Sequence, residues 1–220
     1  MNHPRIVIWG ASYQAMVTAD ILRKVGKYEL VGFLDDLNPE RKGENFYDGQ
    51  VLGGREEIPG LSKSGVEYLI FGFGHTPARL GLTDFVREQG FQFGTAVHPL
   101  AAIAGGVAIG AGSVIKAGVM VDPNVTIGEQ VQLGANTVIA HGSRLDEGVR
   151  VSGGSVLGAS VHLQRGVMIG IDASVRAHVT VGAGALIGQG TVVLEDVPAG
   201  MVVTGVPARI LRAVRPDDFA

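Results

Sequence analysis

The chemistry open to this chain is bounded by six histidines and no cysteine. Without a thiol there is no thiolate nucleophile, no disulfide and no Cys-ligated metal. His141 stands in the run Val138-Ile139-Ala140-His141-Gly142-Ser143. An imidazole that titrates near neutrality suits general-base work, although the residue taken alone reads as a surface or interface histidine. His162 directly precedes Leu163 and His178 follows Val175 by three, so both read as exposed faces or subunit contacts. His98 precedes Pro99 at a junction, and His3 is terminal. His75 follows an apolar run and divides evenly between a binding and a structural role.

A second group combines glycine, hydroxyl and carboxylate. Gly10-Ala11-Ser12 ends one apolar run, Asp35-Asp36 a second, and Gly74-His75 a third. In an open α/β sheet, ligands bind beyond the carboxyl ends of the strands. The Gly10 turn would set main-chain N–H groups and a helix N-terminus against a phosphate. Asp35 or Asp36 would accept hydrogen bonds from a ribose or a base. The turn lacks the full G-x-G-x-x-G pattern, which argues against a dinucleotide. The plain alternative is a turn, a cap and a solvated strand end.

The elements that position these groups follow from periodicity. Residues 5–10 read as a buried strand and 13–25 as a helix, with Ser12 as N-cap and Gly26 as stop. Residues 28–36 read as a second strand, 37–50 as a polar loop and 66–73 as a third strand. A helix opens at Gly74-His75-Thr76-Pro77, with Pro77 suited to its first turn, and reaches about Gly90; a strand over 91–97 follows. This β-α-β opening predicts a small, Rossmann-like parallel sheet.

From Val97 to Val193 every sixth residue is Ile, Leu or Val, seventeen times without an insertion. Two residues before each, from Ala101 to Thr191, stands only Ala, Val, Ser or Thr. Six fits neither a helix nor a two-faced strand. It fits a parallel β-helix whose corners point an aliphatic side chain inward beside a small one, with three hexads to a coil. Gly often follows the aliphatic residue, as at Gly110, Gly128, Gly134, Gly158, Gly170, Gly182 and Gly188, and is expected to give the turn its freedom. At strand spacing the coils make a prism roughly 25–30 Å tall. After Gly205-Val-Pro-Ala-Arg209 a short helix is expected around Arg212 and Arg215.

Composition narrows the partners. A net charge of −3 and no basic stripe argue against nucleic acid. Residues 90–115 carry no Asp, Glu, Lys or Arg, which raises a membrane span; the glycines, Pro99 and the hexad register favour the coil instead. No signal peptide is read at the N-terminus, so the cytoplasm is the expected location.

With these motifs together the chain resembles the sialic acid O-acetyltransferase and nucleotide-amino-sugar N-acetyltransferase family, which includes the bacillosamine and perosamine N-acetyltransferases. The resemblance runs through Ile6-Val-Ile-Trp-Gly-Ala-Ser12, Gly32-Phe-Leu-Asp-Asp36, His98-Pro99, the hexads, Gly170-Ile171 and Gly205-Val-Pro-Ala-Arg209. It implies a left-handed β-helix and a homotrimer, with acetyl-CoA between neighbouring prisms and no metal. It divides the chain into a nucleotide-sugar-binding α/β domain (1–97), the β-helix (98–204) and a tail (205–220). It makes His141 the general base and the main-chain N–H of Ala159 the oxyanion donor. Arg150, Ile171 and Gln189 then fall on acetyl-CoA. Gly10, Ser12, Tyr13, Gln14, Asp35, Asp36, Gly74 and His75 fall on the nucleotide-linked amino sugar.

Several positions depart from the family. Tyr13-Gln14 replace a frequent Gly-His, Gly142 the acidic residue after the base, and Gly134 an Asn. His75 stands for Asn or Asp, and Arg150 for a His near the thioester. The resemblance therefore implies an acetyl-CoA-dependent N-acetyltransferase. An O-acetyltransferase of a sialic-acid-like sugar and a homologue that binds without turnover are the open alternatives.

Overall fold

The computed structural model describes residues 3–219. These fall into two compact units, one within Met1–Gly74 and Gly81–Pro99, the other within His75–Leu80 and Leu100–Ala220.

The first unit is a six-stranded sheet. Its strands are β1 (Arg5–Trp9), β2 (Glu29–Leu34), β3 (Asn45–Phe46), β4 (Gly49–Gly53), β5 (Tyr68–Phe71) and β6 (Gln92–Phe93), in spatial order β3-β4-β2-β1-β5-β6. All neighbours are parallel except β3 and β4. Ile6, Val7, Ile8, Leu69 and Ile70 are fully buried, as expected for central parallel strands covered on both faces. Helix α1 (Tyr13–Val25) has the expected bounds and buries Ala15, Thr18, Ala19 and Leu22 along one stripe. Gly26 closes it in the left-handed conformation, its N–H bonding the Leu22 carbonyl at 3.0 Å.

Three expectations change here, and one element is added. The polar loop over 37–50 contains β3 and continues into β4, a hairpin that extends the sheet; its strands are too short to show a period. Ile58–Lys63 forms a short helix, α2. The strand over 91–97 is two separate strands, β6 and Ala96–Val97. Ser12 has the extended backbone of an N-cap, but its hydroxyl donates to the Gly72 carbonyl at 2.8 Å rather than capping the helix.

The second unit is a left-handed parallel β-helix. Two-residue strands pair with the strand eighteen residues on, giving three sheets. We call these face I (through Val114–Ile115), face II (Met120–Val121) and face III (Thr126–Ile127). The aliphatic hexad residues from Ile115 to Val193 are at most 3% exposed, while Val97, Ile103 and Ile109 at the start are half-buried. They point inward from the strands, not from the corners as expected.

Inward hydroxyls serve the backbone. Ser113 Oγ donates to the Gly128 carbonyl and accepts from the Val131 N–H, both at 3.1 Å; Ser143 repeats the pattern with Gly158 and Val161. A small polar side chain in the bore is thus tolerated because it finds partners.

The glycine expectation is also corrected. The residue after the aliphatic one, such as Gly134, has no positive φ. Glycine is needed there for space: a Cβ on Gly134 would lie 2.3 Å from the Gly153 nitrogen of the next coil. The left-handed corner comes three residues after the aliphatic residue, at every sixth position from Gly106 to Gly190. Six of these corners are not glycine: Asn124, Gln130, Asn136, Ser160, Asp172 and His178. Asn, Asp and His are among the residues that best tolerate this conformation.

The coil ends in a strand pair, Met201–Thr204 antiparallel to Arg209–Ala213. Arg212 therefore lies on a strand, not a helix, and pairs with Asp218 in the turn beyond. The charge-free stretch 90–115 contains only two-residue strands, and among the described residues no helix is long and apolar enough to cross a membrane.

Candidate active site

Residues eighteen apart stack along the prism, so each edge can be read as a column. His141 and Ala159 share the edge between faces II and III, on successive coils. The Ser160 N–H bonds the His141 carbonyl at 2.9 Å, and the Gly158 N–H bonds the Val175 carbonyl at 2.9 Å. The ladder takes the N–H groups on either side of Ala159, and that of Ala159 is outside it. A main-chain donor thus stands one coil from an exposed imidazole. The residue after His141 is a left-handed corner, with φ +70° at Gly142. Ser160 Oγ lies 3.2 Å from where a side chain at 142 would begin.

Ile171 and Gln189 share the edge between faces I and II, joined through the Gly190 N–H on the Ile171 carbonyl at 2.8 Å. Both are exposed. Arg150 stands on face I, between Gln132 and Met168 on the neighbouring rungs. Within one chain, therefore, the expected catalytic pair and the expected acetyl-CoA residues occupy two different edges, with face II between them.

Face II is unusually apolar on its outside. Its outward row runs Ala102, Met120, Val138, Val156, Ser174 and Val192, with Met120 49% and Val156 43% exposed. The outward row of face III is Ala108, Thr126, Arg144, His162 and Thr180. There His162 Nε2 meets Asp146 Oδ2 at 2.8 Å, and Arg144 Nε donates to Asp146 Oδ1 at 2.7 Å. Burial raises the Asp146 carboxyl, but these two partners outweigh it and hold it below the usual carboxylate range.

Sequence reasoning missed two cations near Arg150. Arg79 is fully buried; it donates to the carbonyls of Gln130 and Gly148 and to Thr76 Oγ1. Burial, and then the Arg150 charge, lower its pKa to about 9. Lys116 is pulled down by the same two causes, and Arg150 by burial. Nothing in the local sequence marks Arg79, which reads as an ordinary helix-surface residue of α3 (Thr76–Glu88).

In the first unit the strand-end residues are tightly tied. Gly10 has φ +122° and bonds the Leu34 carbonyl at 2.7 Å, and a Cβ there would meet Gly72 and Phe73. With the Ser12–Gly72 bond, this knits together the ends of β1, β2 and β5. Tyr13, the first residue of α1, is 87% exposed, and Gln14 is half-buried behind it.

The two carboxylates differ. Asp35 is 6% exposed and accepts from the Leu37 and Asn38 N–H groups, the Asn38 amide and Arg41 Nη1 at 2.8 Å. Its lone pairs are consumed by its own loop. Asp36 takes the Arg55 N–H at 2.6 Å and Arg55 Nε at 3.2 Å, leaving one acceptor site on each oxygen. Of the pair, Asp36 is therefore the one able to receive a ligand.

Gly74 lies between β5 and α3. His75 caps that helix: its Nδ1 accepts the Ala78 N–H at 3.1 Å, which gives it a structural task. His98 is buried, whereas His178 forms a left-handed corner.

Comparison with known proteins fits this architecture. The PglD N-terminal domain family matches residues 5–84, and the bacterial transferase hexapeptide family (six repeats) matches residues 124–159. Among solved structures, PerB from Caulobacter crescentus in complex with CoA and GDP-perosamine is 29% identical. Its TM-score is 0.88, over 94% of this chain and 96% of that one. The acetyltransferase domain of PglB from Neisseria gonorrhoeae FA1090, in complex with acetyl coenzyme A, is 28% identical. Its TM-score is also 0.88, over 96% and 100% of the two chains. WeeI from Acinetobacter baumannii AYE shares the fold at 24% identity and TM-score 0.83, over 94% and 99%. No curated protein matches the chain.

Fold and repeat together define a hexapeptide-repeat acyltransferase. Within that class the chain is similar over nearly its whole length to PerB and to the PglB acetyltransferase domain.

Proposed function

We propose that this protein transfers an acetyl group from acetyl-CoA to the amine of a nucleotide-linked amino sugar. The carrying observation is the stacking of His141 and Ala159 on one edge, the main-chain donor one coil on from the base. The amine nitrogen attacks the thioester carbonyl, His141 takes its proton, and the Ala159 N–H receives the developing oxyanion. The tetrahedral species collapses by expelling the CoA thiolate, and the proton on His141 passes to that sulfur. No covalent enzyme intermediate is involved.

The acetyl donor lies along Ile171 and Gln189, with Arg150 toward its thioester end. The strand-end residues Gly10, Ser12, Tyr13, Gln14, Asp36 and Gly74 hold the nucleotide-sugar; Asp35 and His75 shape the loops around it. The nucleotide-sugar and CoA seen in the Caulobacter relative support this pairing of ligands.

The working form is a homotrimer. One chain puts the catalytic pair and the acetyl-CoA residues on separate edges, so a site that joins them takes one edge from each of two copies. The apolar outward row of face II between those edges supplies the surface that such packing would bury. The product would enter surface polysaccharide or glycan synthesis, with the reaction in the cytoplasm.

The test is turnover: acetyl-CoA with UDP- and GDP-linked 4-amino sugars, followed by free CoA thiol. Release with one of them supports the reading and names the nucleotide. Binding of a nucleotide-sugar without release with any of them would refute acetyl transfer.

A further inference from the structure

Arg55 is a cation at the strand ends that the proposed reaction does not use. It stands two residues past the end of β4, and its side chain reaches across the ends of β2 and β1, the next strands in the sheet. Its N–H donates to Asp36 Oδ1 at 2.6 Å and its Nε to Asp36 Oδ2 at 3.2 Å, just past the end of β2. Its guanidinium carbon lies 5.6 Å from the ring centre of Trp9, the last residue of β1, and 5.8 Å from that of Phe85 on α3. A guanidinium held by a carboxylate and two aromatic rings is fixed in direction. The side chain is nevertheless 56% exposed, and among the described residues neither Nη group has a partner.

The neighbouring cations are spent. Arg41 places Nε and Nη2 on Glu44, and Nη1 on Asp35 and the Ala11 carbonyl. Lys42 pairs with Glu57.

The charge around Arg55 decides what its open donors can meet. A Cβ on Gly54 would lie 2.8 Å from Glu56 Oε2 and 3.0 Å from Asp36 Oδ1, so two carboxylates crowd the residue before it. One cation among two carboxylates leaves a net negative charge, which repels a phosphate and does not penalise a neutral polar group. Asp36 adds its open acceptor sites. Leu37 follows it, 89% exposed on a loop whose N–H groups Asp35 holds, and offers an apolar surface. Donors beside an acceptor, next to an exposed apolar side chain, suit the edge and face of a nucleobase.

The geometry points to Arg55 as a base-selecting residue: it donates to a ring carbonyl of the nucleotide while Asp36 accepts the adjacent ring N–H. Uracil and guanine share this lactam edge. Adenine has no carbonyl, and cytosine has none beside a ring N–H; each presents an amine beside a bare ring nitrogen. Such a nitrogen has one lone pair in the ring plane, whereas a carbonyl oxygen has two, one for each Nη group. The inference rests on the proposed reading of the strand ends as the nucleotide-sugar site.

Calorimetry on the full chain tests it with UDP, GDP, CDP and ADP. UDP or GDP should bind about ten- to a hundredfold more tightly than its amino counterpart, CDP or ADP, the range for a hydrogen bond to a charged group. Arg55→Met keeps an unbranched stem against Trp9 and removes the donors. It should lower affinity for the preferred nucleotide by about the same ten- to a hundredfold and leave the amino counterpart within about threefold, with an unchanged urea midpoint. Arg55→Lys keeps the charge without the fork and should also lose most of the preference.

Equal binding of all four by the parent chain overturns the inference, as does binding of none or a preference for CDP or ADP. So does an Arg55→Met chain that keeps the preference, or one that weakens all four alike, the mark of a phosphate contact or a purely structural role. Thiol release by the parent chain with UDP- and GDP-linked amino sugars is measured separately. Release from a chain that fails these binding tests removes Arg55 and leaves the acetyltransferase reading standing.

Discussion

The two classes of glycine in the coil should respond differently to the same methyl group. At Gly184 the backbone is left-handed, with φ +65°, and an added Cβ meets nothing within 4 Å. Gly184→Ala therefore costs only the conformational penalty, about 1–2 kcal/mol. Gly184→Asn should cost less, since Asn124 and Asn136 occupy the same kind of corner. At Gly134 the φ is not positive, but a Cβ falls 2.3 Å from Gly153 N, 2.7 Å from Ser152 C and 2.8 Å from Gly153 Cα. These are backbone atoms of the next coil, held by the Gly134–Val151 bond at 2.7 Å and the Gly154–Ala135 bond at 3.0 Å. To restore ordinary contact the coils must part by about 1 Å. That strains two ladder bonds at about 1 kcal/mol each and adds about 1–3 kcal/mol of overpacking. We therefore expect Gly134→Ala to cost about 3–5 kcal/mol. Urea unfolding of the two variants, followed by circular dichroism, gives the comparison. If Gly184→Ala is as damaging as Gly134→Ala, or more so, the division of the glycines into left-handed corners and close approaches is wrong.

Other predictions follow from the same geometry. Ile139→Asp would bury an unpaired carboxylate in the bore and should abolish cooperative unfolding or trimer formation, seen by circular dichroism and sedimentation. Met120→Glu and Val156→Glu place charge on the exposed row of face II, and sedimentation velocity should show folded monomers in place of the proposed trimer. Asp146 has a folded pKa below its unfolded one. Its contribution is therefore present above the ordinary carboxylate range and lost as pH falls through the depressed value. Asp146→Asn should flatten the acid limb of the stability profile, and an unchanged limb would remove that pair from the account.

Much of this architecture is legible because the coil repeats. Seventeen inward aliphatic residues in strict register leave one period to find, and that period fixes the rung pairing at eighteen. The bounds of α1 follow from an apolar stripe with Gly26 behind it. What stays hidden is set by neighbours rather than by local pattern. Gly134 and Gly142 look alike in sequence, yet one is required by the backbone of the next coil and the other by its own φ. The hairpin β3–β4 and the strand Arg209–Ala213 are stabilised by pairing with strands outside their own stretch. Asp146 meets His162 because sixteen residues is one coil less two, a relation readable only once the coil is known. Arg79 carries no signal, because the coil partners it meets, at Gln130 and Gly148, are main-chain carbonyls. The Asp35-Asp36 pair was legible as a strand end, but the loop that consumes Asp35 was not.

The most direct test of the central claim is the turnover number of His141→Asn with acetyl-CoA and the nucleotide-linked amino sugar that the parent enzyme uses. The account predicts a fall of at least about a hundredfold, with affinity for acetyl-CoA retained. A turnover number equal to that of the parent would contradict it and remove His141 from the chemistry.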